Sequence, residues 1–197
     1  MCKGQNCNHP KKGDMIRVQP ITNIKNLKAI KKLLADKPRD LALFTVGINT
    51  NLRASDLLQI KAGMVRHLKP MDEIELKEKK TGKLRRISLN KSCTDAIQAL
   101  LKFCQYRDDE AIFSGQRGPV TVPTVNALVK SWCKTVNLQG NYGSHSLRKT
   151  FGYHQRVTFG RGVAELMVVF NHSSERQTLT YLGIQPSEIK SIYQNEI

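Results

Sequence analysis

From Ile24 onward, apolar residues recur with a helical period: Leu27, Ile30, Leu33 and Leu34 stand on one face with lysines between them. Asp36 to Pro38 interrupts the run, because proline lacks the amide proton that a helix interior needs, and a more apolar stretch follows from Asp40 to Asn49. Two successive helices are therefore expected. Residues 54–59 predict a third, short helix with Ser55 or Asp56 in its first turn, and Gly63 predicts a turn after it.

Between Asp72 and Asn90 the period changes to two. Ile74 and Leu76 alternate with acids, Thr81 and Gly82 supply a turn, and Leu84, Ile87 and Leu89 sit among basic residues. This is the pattern of a β-hairpin with an acidic first strand and a basic second strand, whose cross-strand ion pairs help fix the register. Asn90 then predicts an N-cap for a helix reaching about Phe103, with Ala96, Ile97, Leu100 and Leu101 on one face. Further helices are expected over residues 123–136, 146–158, 162–170, 174–182 and 187–194. The fold class is α+β, mainly α: a helical domain with one small antiparallel sheet.

With 197 residues, 40% of them hydrophobic, the chain has material for one domain with a real core. Residues 1–23 read as a flexible basic leader. No apolar run approaches the roughly 20 residues of a membrane span, and the opening segment has no apolar centre of the kind a signal peptide carries. A cytoplasmic protein without membrane association is expected. Cys2, Cys7, Cys93, Cys104 and Cys133 are odd in number and outside any paired spacing, as reduced thiols are. Cys2, Cys7 and His9 lack a fourth ligand, so no metal is assigned. The formal net charge of +16 changes the picture most, because a polyanion, DNA or RNA, becomes the expected partner.

Five segments carry side chains suited to binding and breaking a phosphodiester. Arg53 stands at a helix start, where its planar fork can grip two phosphate oxygens. Lys79, Lys80 and Lys83 surround the hairpin tip, from which an ammonium can protonate a leaving oxygen. His145 and Arg148 share a helical face at a spacing of three, and His172 is followed nine residues later by Tyr181. Asp108, Asp109 and Glu110 form a short acidic run that reads as a solvated loop, not as a magnesium site.

In this order, and with Arg53 in Arg-Ala-Ser-Asp-Leu, Lys80 in Lys-Thr-Gly and His145-Ser146-Leu147-Arg148, the chain resembles the catalytic domain of the tyrosine recombinase (phage integrase) family from about Ile24 to Ile197. The resemblance implies a catalytic domain over 24–185 and a tail helix over 186–197. It implies that Arg53 and Arg148 clamp the scissile phosphate, that His172 hydrogen-bonds it, and that Lys80 is the general acid for the 5′ oxygen. His145 would assist proton transfer, and Tyr181 would attack to leave a 3′-phosphotyrosine. The partner implied is double-stranded DNA, with self-association on it through the C-terminal tail, and no cofactor is required. Elementary electrostatics agrees: a phosphodiester under attack gains negative charge, which fixed cations stabilise more in the transition state than in the ground state.

Three residues depart from the family pattern. Asp56 stands where Glu is usual, Lys149 where His is frequent, and Asn171 where Gly is frequent. Asn is the least costly replacement for Gly if the backbone there needs a positive φ. The 23 residues before Ile24 are too few for the N-terminal helical domain that usually closes round the duplex, which leaves an excised catalytic fragment or a naturally minimal protein. Two rival functions remain alongside recombination: a non-catalytic DNA-binding relic, and type IB topoisomerase-like activity. The single domain and the short tail after Tyr181 favour recombination.

Overall fold

A computed structural model describes residues 18–116, 118–183, 190, 192–194 and 196. Helix α1 (Ile24–Leu33) opens on Asn23, whose side chain accepts a hydrogen bond from the Lys25 amide, and buries Ile30. Helix α2 (Pro38–Asn49) begins with proline in its first turn, where the missing amide proton costs nothing, and buries Ala42, Leu43, Phe44 and Val46. Each such large side chain taken out of water contributes about 1.5–3 kcal/mol. α2 is thus the central helix, packed against α5 (Lys91–Phe103) and α7 (Ser144–Tyr153).

The short helix α3 (Ala54–Leu57) is followed by a second short helix, α4 (Ala62–Val65), so Gly63 lies inside a helical turn and not in the expected loop. The reason is close packing. The Gly63 amide donates to Asp108 O at 3.0 Å, and a Cβ on Gly63 would come within 2.8 Å of the Asp108 Cβ. The Asp108-Asp109-Glu110 segment is a surface loop, with Asp108 paired to Arg66 at 2.9 Å.

Strands β1 (Glu73–Lys77) and β2 (Leu84–Ser88) form the expected antiparallel hairpin. Ile74 faces Ile87 on the buried side, and Glu75 faces Arg86 on the outer side with their charged groups 3.1 Å apart. Asn90 caps α5 by accepting from the Cys93 amide. A second hairpin, β3 (Ser114–Gly115) with β4 (Gly118–Pro119), was not expected, since strands of two residues carry no readable period. There are accordingly two small sheets where one was expected.

Helix α6 (Val122–Thr135) lays Val125, Val129 and Trp132 on the core. Helix α7 starts two residues before the expected Ser146, and at its far end it does not run on as α-helix: residues His154–Thr158 form a π-helical turn. There the His154 ring bonds both Thr158 Oγ1 at 2.8 Å and Ile21 O at 3.0 Å, which fastens the turn to the segment preceding α1. Helices α8 (Val163–Phe170) and α9 (Glu175–Leu182) complete the described fold, α9 capped by Ser174. Of the expected tail helix, Pro186, Ser187 and Ile189 lie outside the described residues, while Ile192 and Tyr193 are exposed. Among the described residues no helix is long and apolar enough to cross a membrane.

The buried side chains divide into two clusters. The larger runs through α1 to α7 and includes the hairpin; the smaller consists of Leu166, Phe170 and Leu182, with Phe151 and Tyr181 against it. Gly152 on α7 admits the smaller cluster, because a Cβ there would lie 2.3 Å from Leu182 Cδ2 and 2.9 Å from Phe170 Cζ.

Candidate active site

Arg53 is the N-cap residue of α3, in extended conformation, and its side chain is one-fifth exposed beside two buried acids. Its Nη1 lies 3.0 Å from Glu78 Oε2 and 3.7 Å from Asp56 Oδ2. The same acids hold the hairpin tip: Asp56 Oδ1 accepts from the Lys79 amide at 2.9 Å, and Glu78 Oε2 accepts from Thr81 Oγ1 at 2.7 Å. Lys80 stands exposed between these anchors. Its positive charge reaches the ring of His145 on α7.

His145 and Arg148 share one face of α7, as their spacing predicts. The His145 pKa is lowered, first by withdrawal of the ring from water and then by the Arg148, Arg53, Lys149 and Lys80 charges. Arg148 is only 3% exposed, an uncommon position for a guanidinium. Its Nη2 donates to Phe170 O at 3.2 Å, and its Cζ lies 5.0 Å from the Phe170 ring centre and 5.5 Å from that of Tyr181. Both rings offer their faces to the cation. Burial brings the Arg148 pKa down to about 10.

His172 enters the site because α8 ends abruptly. Asn171 takes the left-handed conformation, with φ 54° and ψ 45°, at the position where the family frequently has Gly, and the His172 amide turns back to Met167 O at 3.0 Å. The His172 Nδ1 is bonded to Thr178 Oγ1 at 3.0 Å, while its ring stacks on Phe170 and meets the Tyr181 ring edgewise at 5.5 Å. Burial, then the Arg148, Arg53 and Arg85 charges, lowers its pKa. Tyr181 comes from α9, and its hydroxyl is buried without a hydrogen-bond partner in the described structure. Loss of water raises its pKa, and the Arg148 and Arg53 charges oppose that rise. Arg148 Nε is buried and unpaired as well. One nitrogen of the Arg148 guanidinium and the Tyr181 hydroxyl are thus both buried with no hydrogen-bond partner, on side chains that touch.

Of the six residues selected from the sequence, Arg148 and His172 both meet the Tyr181 ring, His145 shares the α7 face of Arg148, Arg53 is tied to the hairpin through Glu78, and Lys80 stands exposed at that hairpin's tip. The other four tyrosines are engaged elsewhere or exposed: Tyr106 donates to Ile112 O at 3.0 Å, Tyr142 to Gln139 O at 3.4 Å, Tyr153 packs on His154, and Tyr193 is 85% exposed.

Sequence reasoning missed three contributors. Glu78 is buried and bonded by Arg53, Arg85 and Thr81, which together outweigh the cost of its burial and hold its pKa at about 2. Arg85 donates to Glu78 Oε1 at 2.9 Å and also to Val169 O, near the end of α8. Asn51 donates to the same Val169 carbonyl. For Glu78 the signal was present: it continues the inward alternation Ile74, Leu76, Glu78.

The family model described as "Phage integrase family" matches residues 19–188. Among characterised proteins, the chain is 33% identical over 181 residues to the probable integrase/recombinase YoeC of Bacillus subtilis, covering 89% of this chain and 95% of that one. It is 30% identical over 174 residues to tyrosine recombinase XerC of Caldanaerobacter subterraneus, covering 83% of this chain and 48% of XerC, about half its length. In fold it matches XerA recombinase with a TM-score of 0.73 at 18% identity, over 94% of this chain and 65% of XerA. The XerH site-specific recombinase, bound to palindromic difH substrate in a post-cleavage complex, gives a TM-score of 0.71 at 17% identity, over 93% and 55% of the two chains.

Proposed function

The chain belongs to the phage integrase family, whose tyrosine recombinases cut and rejoin DNA in site-specific recombination, and from that premise we propose that it cleaves double-stranded DNA through Tyr181. The observation that carries this reading is the meeting of the Tyr181 ring, whose hydroxyl is buried and unpartnered, with the buried Arg148 guanidinium and the His172 ring. A phosphodiester placed there accepts from Arg148 Nε and from Arg53, and presents its phosphorus to the phenol oxygen. The Tyr181 oxygen forms the new bond to phosphorus, and the bond from phosphorus to the 5′ oxygen breaks.

Proton movements follow from the pKa directions. With its pKa raised, the phenol does not ionise unaided near neutrality, so a neighbour must take its proton as attack proceeds. His145, whose lowered pKa leaves it neutral there, assists that transfer. His172, anchored through Nδ1 by Thr178, turns its Nε2 to the phosphate. Lys80 protonates the departing 5′ oxygen from the hairpin tip. Rejoining is the reverse reaction, so the bond energy is stored in the phosphotyrosine and no nucleotide cofactor is consumed.

The C-terminal tail extends the proposal to assembly. Ile192 and Tyr193 expose 61% and 85% of their surface, and side chains of this kind favour a protein groove over water. On DNA, the tail of one protomer docks on its neighbour; truncation after Gln185 is expected to reduce cleavage and synapsis more than initial DNA binding.

A nicked suicide duplex tests the central claim. Covalent capture of the chain, with the phosphopeptide mapping to Tyr181, is the expected result. Capture at Tyr193 or another tyrosine overturns the assignment, and intact DNA binding without any adduct identifies a non-catalytic relic.

A further inference from the structure

Glu78 occupies an unusual place for a carboxylate. It follows β1 directly, on the inward phase of the strand, and its side chain is 1% exposed. Three groups from separate points surround it: the Arg53 guanidinium as an ion pair with Nη1 at 3.0 Å, and two hydrogen-bond donors, Arg85 Nη1 at 2.9 Å and Thr81 Oγ1 at 2.7 Å. Arg53 belongs to the start of α3, Thr81 adjoins Lys80 at the hairpin tip, and Arg85 reaches on from β2 to Val169 O beside the end of α8.

Stability alone does not explain such a group. A buried ion pair is often matched or exceeded by apolar side chains of similar volume, since removing charges from water is costly. What a carboxylate provides here is geometry: it holds two guanidiniums that repel each other and one hydroxyl in fixed relation. Burial and then the Arg53 charge lower the Arg85 pKa, and Glu78 is the shared counter-ion of the two guanidiniums.

We infer that Glu78 is a positioning residue that couples the phosphate-binding Arg53 to the hairpin carrying Lys80, setting both against the same phosphodiester. The inference rests on the roles proposed above for Arg53 and Lys80. It adds that these roles are not independent: one buried carboxylate aligns the cation on the phosphate and the acid on the leaving group.

Nicked suicide duplexes carrying oxygen or sulfur at the bridging 5′ position of the scissile phosphate separate the two functions, because a sulfur leaving group needs no protonation. Lys80→Ala is expected to recover on the sulfur substrate and Arg53→Ala is not; failure of that pair of controls counts against the assigned roles themselves. Glu78→Gln keeps the shape and removes the charge. Its cleavage of the oxygen substrate is expected to fall roughly 100-fold, the scale of an ångström-level misplacement, with only part of that loss recovered on sulfur. Thr81→Val cuts the hairpin arm alone at an exposed position, so its smaller loss is expected to vanish on sulfur.

Wild-type cleavage by Glu78→Gln overturns the inference. So does full recovery on sulfur, which confines Glu78 to the hairpin, and so does no recovery, which confines it to Arg53. Should Glu78→Gln not fold, judged by its melting transition, Thr81→Val decides: an unimpaired rate, or a loss that sulfur leaves unchanged, disconnects Glu78 from the general acid.

Discussion

The large cluster and the small one hold different halves of the chemistry. Arg53, the Lys80 hairpin and α7 with His145 and Arg148 rest on a continuous core from Ile21 to Leu147. His172 and Tyr181 rest on α8 and α9, whose own core is Leu166, Phe170 and Leu182. The proposed phosphate-binding cations are thus mounted on the body with the larger core, and the proposed nucleophile on the one with the smaller. What joins the bodies is largely polar and aromatic: Arg148 to Phe170 O, Arg85 and Asn51 to Val169 O, Arg156 to Gly183 O, the Arg148 guanidinium over the Phe170 and Tyr181 rings, and Phe151 against Phe170. Three of these donors meet the last carbonyls of α8, where unpaired oxygens and the helix dipole favour cations. The two bodies therefore meet through directional contacts, which set an angle and a distance more sharply than apolar packing does.

Mutations can break this contrast. Tyr181→Phe has the largest expected effect on chemistry, complete loss of covalent DNA capture. Because the lost hydroxyl is buried and unpartnered, a state that costs about 1–3 kcal/mol, the melting temperature is expected to stay level or rise. A destabilised Tyr181→Phe protein would show that the hydroxyl is structurally engaged. Phe170→Ala has the largest expected effect on stability, about 3–5 kcal/mol for a buried ring. Hydrogen exchange is expected to report that loss in α8 and α9 while α2 and α5 stay protected, and a loss spread evenly over both would abolish the distinction between the bodies.

Arg148→Ala removes a link and a proposed phosphate ligand together, and its cleavage is expected to fall by at least two orders of magnitude, or roughly 3 kcal/mol, by analogy with lost oxyanion donors. Single-turnover cleavage measures it. Acid sharpens the contrast from the other side. The Glu78 pKa is lowered from 4.5 to about 2, so its contribution is present above pH 4.5 and lost as the pH falls from there towards 2. Glu78→Gln is expected to flatten that part of the pH–stability curve, and an unchanged acid limb would refute it. Asn171 gives the smallest effect: Asn171→Gly relieves a left-handed residue and is expected to stabilise by about 1 kcal/mol or less, while Asn171→Ala destabilises by a similar amount in thermal unfolding.

Much of this arrangement was legible in the chain. α1, α5 and the first hairpin follow from apolar periods of 3.6 and 2, the break before α2 from Asp36 to Pro38, and the cap of α5 from Asn90. Asn171 was legible too, as a tolerable stand-in where a positive φ was required. The π-helical turn after Tyr153 was not, because it depends on a His154 contact with Ile21, 133 residues away. Arg85 was obscured by Leu84, which invites the inward position yet is 69% exposed. Counting back in twos from Leu89 through Ile87 places Arg85 inward, as observed. The roles of Arg53, Lys80, His145, Arg148, His172 and Tyr181 came from motif order, which periodicity alone does not provide.

The depth of Arg148 has a consequence for ionic strength. Mobile ions screen charges in water over about 10 Å at 0.1 M salt, but they do not enter a space where the guanidinium is 3% exposed. Surface lysines that would draw a duplex in are weakened by salt, whereas the buried cation proposed to work on the phosphate is not. Under the proposed roles, added salt is thus expected to empty the complex without slowing the reaction in those molecules that remain bound, so affinity for DNA and the speed of cutting it would answer to different properties of the solvent.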